Sequence, residues 1–142
     1  MSDLPAPADL LAHRPPFLLV DELVALEPAQ SATGIWRLTG EEGFFAGHFP
    51  GRPTLPGVLM CESIAQVGAC ALLAAPEFAG KLPLFGGLDD ARFRRQVVPG
   101  DELIISVELG RLSARAGKGS GKVEVGGEVA ASCGLMFVFA DA

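Results

Sequence analysis

GVLMCESIAQVGACALLAA, residues 57–75, decides how this chain folds. Its Ala and Leu content favours helix, and the Pro-rich run before it and Pro76 after it mark the ends, so the stretch predicts one helix over 57–75. Such a helix is about 28 Å long at 1.5 Å per residue, near the roughly 20 apolar residues that cross a bilayer. Glu62 and Gln66 in its first half, with no Lys or Arg close by on either flank, fit a membrane span badly. A helix apolar on all sides in water must instead be enclosed by the rest of its own fold.

The enclosing material lies mostly downstream. Residues 82–88, 91–98, 102–113 and 128–140 are rich in Val, Ile, Leu and Phe, with turn signals at Asp89-Asp90, Pro99-Gly100-Asp101 and Gly126-Gly127. VEVGGEVAA (123–131) reads as a two-residue hairpin. FLLVDELVALEP (17–28) and ATGIWRL (32–38) read as one or two further strands, and ARAGKGSGK (114–122) as the one flexible stretch. The expected architecture is α+β: a long helix wrapped by an antiparallel sheet. With 142 residues, 49% hydrophobic and 20% charged, the chain is too apolar for disorder and has the size of a single domain spanning 1–142.

The net charge of −6 argues against nonspecific binding to nucleic acid, which needs a basic footprint. The charge is uneven, however: residues 1–80 hold 3 Lys/Arg against 9 Asp/Glu, whereas residues 81–142 hold 8 of each. A local basic patch could therefore meet an acidic partner. MSDLPAPADL (1–10) has neither a basic nor a long apolar region, so a cytoplasmic protein is expected. Cys61, Cys70 and Cys133 have no metal or redox spacing and only His13 and His48 could join them, so they are expected to be small buried hydrophobes and no metal is expected.

Chemistry concentrates in GHFPGRPTLPGVLMCESIAQ (47–66). Gly57 opens the helix, where backbone N–H groups lack an intrahelical acceptor and could polarise a carbonyl oxygen. Glu62, set among Leu59, Cys61 and Ile64, is a carboxyl whose charged form burial would disfavour, which suits a proton donor. Gln66, four residues on, shares its face and could steady it. His48, in a Gly- and Pro-braced loop, is a plausible base. The same residues also admit structural readings, a satisfied turn histidine and a hydrogen-bonded buried glutamate, so the residues alone suggest a site without fixing its reaction.

This segment resembles the signature of the 3-hydroxyacyl-[acyl-carrier-protein] dehydratases of type II fatty acid synthesis: His-Phe-Pro-Gly-x-Pro, Pro-Gly-Val-Leu, then Glu and Ala-Gln. HRPPFLLVD (13–21) and GLDDARFRRQVVPGDEL (87–103) are similar to two further blocks of the family, in the same order. The resemblance implies a hot-dog fold that dimerises, with each active site at the dimer interface, and further association into a trimer of dimers. It implies that His48 takes the C2 proton, Glu62 protonates or orients the departing 3-hydroxyl, and the Gly57 N–H polarises the thioester carbonyl. Glu at 62, where a sister branch that also isomerises carries Asp, implies dehydration alone.

No metal or organic cofactor is implied, because the acyl chain arrives on the 4′-phosphopantetheine of acyl carrier protein. Arg92, Arg94 and Arg95 would dock that acidic partner, and Phe49 and Phe85 would line the acyl tunnel. In one respect the chain departs from the family: a tunnel-gating Tyr is common before the Phe after the helix, and this chain has no Tyr and carries Leu84 beside Phe85. Alternatives of other kinds are a hot-dog thioesterase or enoyl hydratase, or a noncatalytic acyl-binding subunit of a synthase complex.

Overall fold

The computed structural model describes residues 3–141 and centres on a helix, α2 (Gly57–Leu73), that follows a one-turn helix α1 (Pro7–Leu10). α2 stops two residues short of the predicted end. Ala75 precedes Pro76 and is extended (φ −84°, ψ 132°), as a residue before proline prefers. Every residue from Ser63 to Leu73 is buried, so the helix is enclosed on all sides from there on, while Val58 in its first turn is exposed. Among the described residues no helix is long and apolar enough to cross a membrane.

Six strands enclose it: β1 (Glu22–Glu27), β2 (Ser31–Arg37), β3 (Lys81–Phe93), β4 (Glu102–Leu112), β5 (Ala116–Val125) and β6 (Glu128–Asp141). They form one sheet in the order β1-β2-β4-β5-β6-β3, antiparallel throughout. α2 packs against all six. Alternate residues of the central strands point at it, among them Leu103, Ile105 and Val107 of β4, Val123 and Val125 of β5, and Leu135 and Phe137 of β6. Each such side chain contributes about 1.5–3 kcal/mol by leaving water. A long helix wrapped by a curved antiparallel sheet is the α+β hot-dog architecture that the sequence predicts.

Two expectations need correction. The stretch 114–122, read as flexible, is mostly β5, a strand in the middle of the sheet. Gly121 makes room for the helix: a Cβ there would lie 2.6 Å from Cγ2 of Ile64. Lys118, Ser120 and Lys122, alternating with the glycines of β5, point outward. The second correction concerns 82–88 and 91–98: the first and the start of the second form one strand, β3, which ends at Phe93, and 94–98 lie outside any strand. Asp89-Asp90 makes a bulge, Asp89 pairing with Gly134 and Arg92 with Ser132, and Asp90 takes φ +48°. The Gly126-Gly127 hairpin is as read, with Val125 opposite Glu128 and both glycines at positive φ (58° and 84°).

All three cysteines are buried and free. Burial pushes the Cys70 thiol up to about 12, and the neighbouring thiols of Cys61 and Cys133 hydrogen-bond, which holds Cys61 below and Cys133 above the ordinary range.

Candidate active site

Glu62 lies on the first half of α2, its side chain 19% exposed, at the mouth of the buried stretch. Gln66, one turn on and 1% exposed, orients it through a set of bonds that leaves its amide no choice of direction. Leu19 N–H donates to Gln66 Oε1 at 2.8 Å, so the amide nitrogen must be on the other side. There Nε2 donates to Phe17 O at 2.8 Å and to Glu62 Oε2 at 2.9 Å. The helix is thereby tied to residues 17–19, which run beside it instead of extending β1 as the sequence reading had it. A second group meets the same carboxyl. His13 Nε2 stands 3.4 Å from Glu62 Oε2, its ring stacked on Phe17 with centroids 6.4 Å apart. Oε1 has no protein partner among the described residues.

His48 sits in the loop between a 3₁₀ turn (Gly43–Ala46) and α2. Its N–H donates to Phe45 O at 3.3 Å, and Thr54 N–H donates back to His48 O at 2.9 Å. The ring is fixed by Thr54 as well, with Nδ1 2.8 Å from the Thr54 carbonyl. A carbonyl only accepts, so Nδ1 carries the hydrogen and a neutral ring presents an unprotonated Nε2. Thr54 is itself held from outside the loop: Gln96 Nε2 donates to its Oγ1 at 2.9 Å, and next to it Leu55 N–H donates to Val97 O at 2.8 Å. Beneath the loop Phe44 meets Phe45 at 4.6 Å and Trp36 edge-on at 6.5 Å. Phe49 is exposed and stacks on the His48 ring, centroids 4.0 Å apart.

Gly57 is the first residue of α2, behind Pro56, and no side chain caps this end. Its Cα is covered by a residue the sequence reading passed over: a Cβ at 57 would lie 2.9 Å from the ring of Phe93. Phe93 is 51% exposed at the end of β3, and Phe85 is 40% exposed on the same strand. The three arginines fare differently. Arg92 pairs with Asp90 at 2.9 Å on the surface. Arg95 turns back to Asp101 (3.8 Å), Glu128 (3.5 Å) and Val125 O. Arg94, exposed, makes no ion pair among the described residues.

The chain thus assembles Glu62 with Gln66 and His13, and separately His48 with Thr54 and Phe49. No hydrogen bond or ion pair joins the two groups among the described residues. Together they hold a base with a fixed tautomer, a carboxyl with one committed and one open oxygen, and an uncapped helix start. These are the parts that an elimination next to a carbonyl needs. Among the described residues no group of three His, Cys, Asp or Glu could hold a metal ion. His13, Thr54, Gln96 and Phe93 were not singled out from sequence. Their only signal there was membership of the blocks at 13–21, 47–66 and 87–103.

Residues 11–133 match the FabA-like domain, and the chain belongs to that family. Within it, the chain is 51% identical over 137 residues to the 3-hydroxyacyl-[acyl-carrier-protein] dehydratase FabZ of Pelotomaculum thermopropionicum, covering 96% of this chain and 98% of the relative. It is 54% identical over 128 residues to the enzyme of the same name from Moorella thermoacetica, covering 90% of each. By fold it is similar to a chain of the dehydratase heterocomplex ApeI:P from Xenorhabdus doucetiae, with a TM-score of 0.82 at 18% identity, covering 97% of this chain and 93% of that one.

Proposed function

We propose that the chain removes water from (3R)-3-hydroxyacyl thioesters of acyl carrier protein in fatty acid synthesis, leaving trans-2-enoyl thioesters, with His48 as base and Glu62 as acid. Membership of the family and half identity with the dehydratases support this hydro-lyase reaction. The observation that carries the mechanism is the 2.8 Å contact of His48 Nδ1 with Thr54 O. It leaves Nε2 as the nitrogen able to take the proton on C2. The Gly57 N–H at the uncapped end of α2 draws the thioester carbonyl, which stabilises the charge that develops as that proton leaves. Glu62 passes a proton to the 3-hydroxyl, and water departs. The reading needs no metal or organic cofactor, since the acyl group comes on the phosphopantetheine arm of the carrier, and it puts the enzyme in the cytoplasm with that carrier.

The active unit in this reading is a homodimer in which His48 faces Glu62 of the partner subunit. Two observations support it. The two residues have separate surroundings within one chain, and β3 is an edge strand that exposes Leu84, Phe85, Leu88 and Phe93. A second copy of β3 would pair the open edge and cover those side chains. Phe49 and Phe85 then line the acyl tunnel, and dimers gather as a trimer of dimers. For carrier docking, Arg94 is the strongest of the three arginines, because Arg92 and Arg95 already have carboxylate partners.

The test follows the absorbance of the enoyl thioester on carrier-protein substrates of several chain lengths. His48→Ala and Glu62→Gln should each lose about 10²–10⁴-fold while remaining folded. A wild-type protein inactive at every chain length, or variants that keep full rate, would refute the mechanism and favour an acyl-binding subunit.

A further inference from the structure

We propose that His13 is a positioning residue of this site: with Gln66 it commits Glu62 Oε2 as the accepting oxygen, so that Oε1 is the oxygen that meets the departing hydroxyl. The inference rests on the dehydratase reading above. Its observations are independent of it. The Nε2 of His13 stands 3.4 Å from Oε2, on the same oxygen that takes the Gln66 N–H at 2.9 Å. The backbone that carries the ring is clamped: Arg14 Nη1 donates to both Leu11 O (2.8 Å) and His13 O (2.7 Å).

The other ring nitrogen is the telling one. Nδ1 of His13 is buried and has no hydrogen-bond partner among the described residues. An imidazole kept for the sake of the fold satisfies its buried nitrogens, because an unpaired polar atom out of water destabilises the native state. A phenyl ring would stack on Phe17 as well and leave nothing unpaired. The one polar contact of the ring among the described residues is the carboxyl, so what the imidazole supplies is Nε2 beside Glu62 Oε2, at 3.4 Å and outside hydrogen-bond alignment in this arrangement. With the Gln66 N–H bonded to Oε2 and the imidazole set beside the same oxygen, Oε1 is the oxygen left for the carboxyl proton. When that proton moves to the 3-hydroxyl oxygen, the C3–O bond breaks, the C2–H pair becomes the new double bond, and His48 holds the C2 proton. The carboxylate left behind keeps the Gln66 N–H and has the imidazole beside it.

The experiment compares His13→Phe and His13→Gln with wild type, as full chains, by thermal unfolding and by kcat and KM on carrier-protein thioesters. His13→Phe should unfold at the wild-type temperature or above it, keep KM within about twofold, and lose roughly tenfold or more in kcat. His13→Gln, which restores an N–H donor, should recover most of that loss. A His13→Phe with wild-type kcat, a loss that tracks lowered stability, or a Gln variant no better than Phe would overturn the assignment. A wild type that turns over no 3-hydroxyacyl thioester would instead sink the dehydratase reading and this inference with it. An active wild type beside an indifferent His13→Phe would sink the inference alone.

Discussion

The imidazole of His48 can serve as a base because a carbonyl holds its other nitrogen, and that carbonyl belongs to a residue braced by Gln96. Removing the brace should loosen the ring without touching it. Gln96→Ala is expected to lower kcat several-fold, about 1 kcal/mol of lost ordering, with little change in unfolding temperature, since the bond lies at the surface. Gly57 makes a complementary case. Alanine there favours helix by about 0.5–1 kcal/mol but displaces the exposed ring of Phe93, so stability should hold. Activity should nonetheless fall about tenfold or more if, as proposed, the Gly57 N–H draws the thioester carbonyl, since the ring shifts beside it; unfolding curves measured beside kinetics check both halves. Glu42 bears on acid stability. Burial pushes its carboxyl up, but donors on Thr39 and Gly40 outweigh that and hold it below the ordinary 4.5. A group with a lowered native pKa stabilises the fold above its unfolded value and ceases to do so as pH drops through the native one. The stability gap between wild type and Glu42→Gln should therefore close below about pH 4.5, as denaturant titrations across pH would read. At this scale His48, Glu62, Gln66 and Gly57 of the candidate site could be picked out together because they share one continuous segment. His13, Thr54 and Gln96 act through partners far along the chain, and no local pattern encodes such pairings.

Among the elements, α2, β4, β6 and the Gly126-Gly127 hairpin could be read directly from apolar runs and turn residues. β5 could not, because the inward positions of its first part are Gly117, Gly119 and Gly121, and glycine in sequence signals a linker. At Gly121 the requirement is a clearance: the helix passes so close that there is no room for a methyl group, with Ile64 and Ser106 O at 2.6 and 2.9 Å from the would-be Cβ. Gly121→Ala should then cost about 1–3 kcal/mol, several degrees in the midpoint. Adding Ile64→Val should return part of it, a coupling that a double-mutant cycle measures. The Asp89-Asp90 bulge misled for a related reason. A bulge and a turn use the same residues, and only the continued pairing of β3 with β6 on both sides tells them apart.

For the whole molecule, the shared-site reading makes a prediction that no single variant can. A mixture of His48→Ala and Glu62→Gln, co-expressed or unfolded and refolded together, should regain activity that neither has alone, because half of the mixed sites are intact in every heterodimer. No recovery, with exchange of subunits demonstrated, would place both residues of each site on one chain. Leu88→Lys on the β3 edge should disturb assembly and rate together, seen by light scattering beside the enoyl assay.

With one Trp and no Tyr in the chain, Trp36 supplies nearly all of its near-ultraviolet emission. That indole is 3% exposed and edge-on to Phe44, in the 3₁₀ turn that leads into the loop of His48. The protein therefore carries its own optical probe beneath the His48 loop. A change in emission on adding an acyl thioester would report movement of that loop without any label, and on the millisecond scale of a stopped-flow instrument.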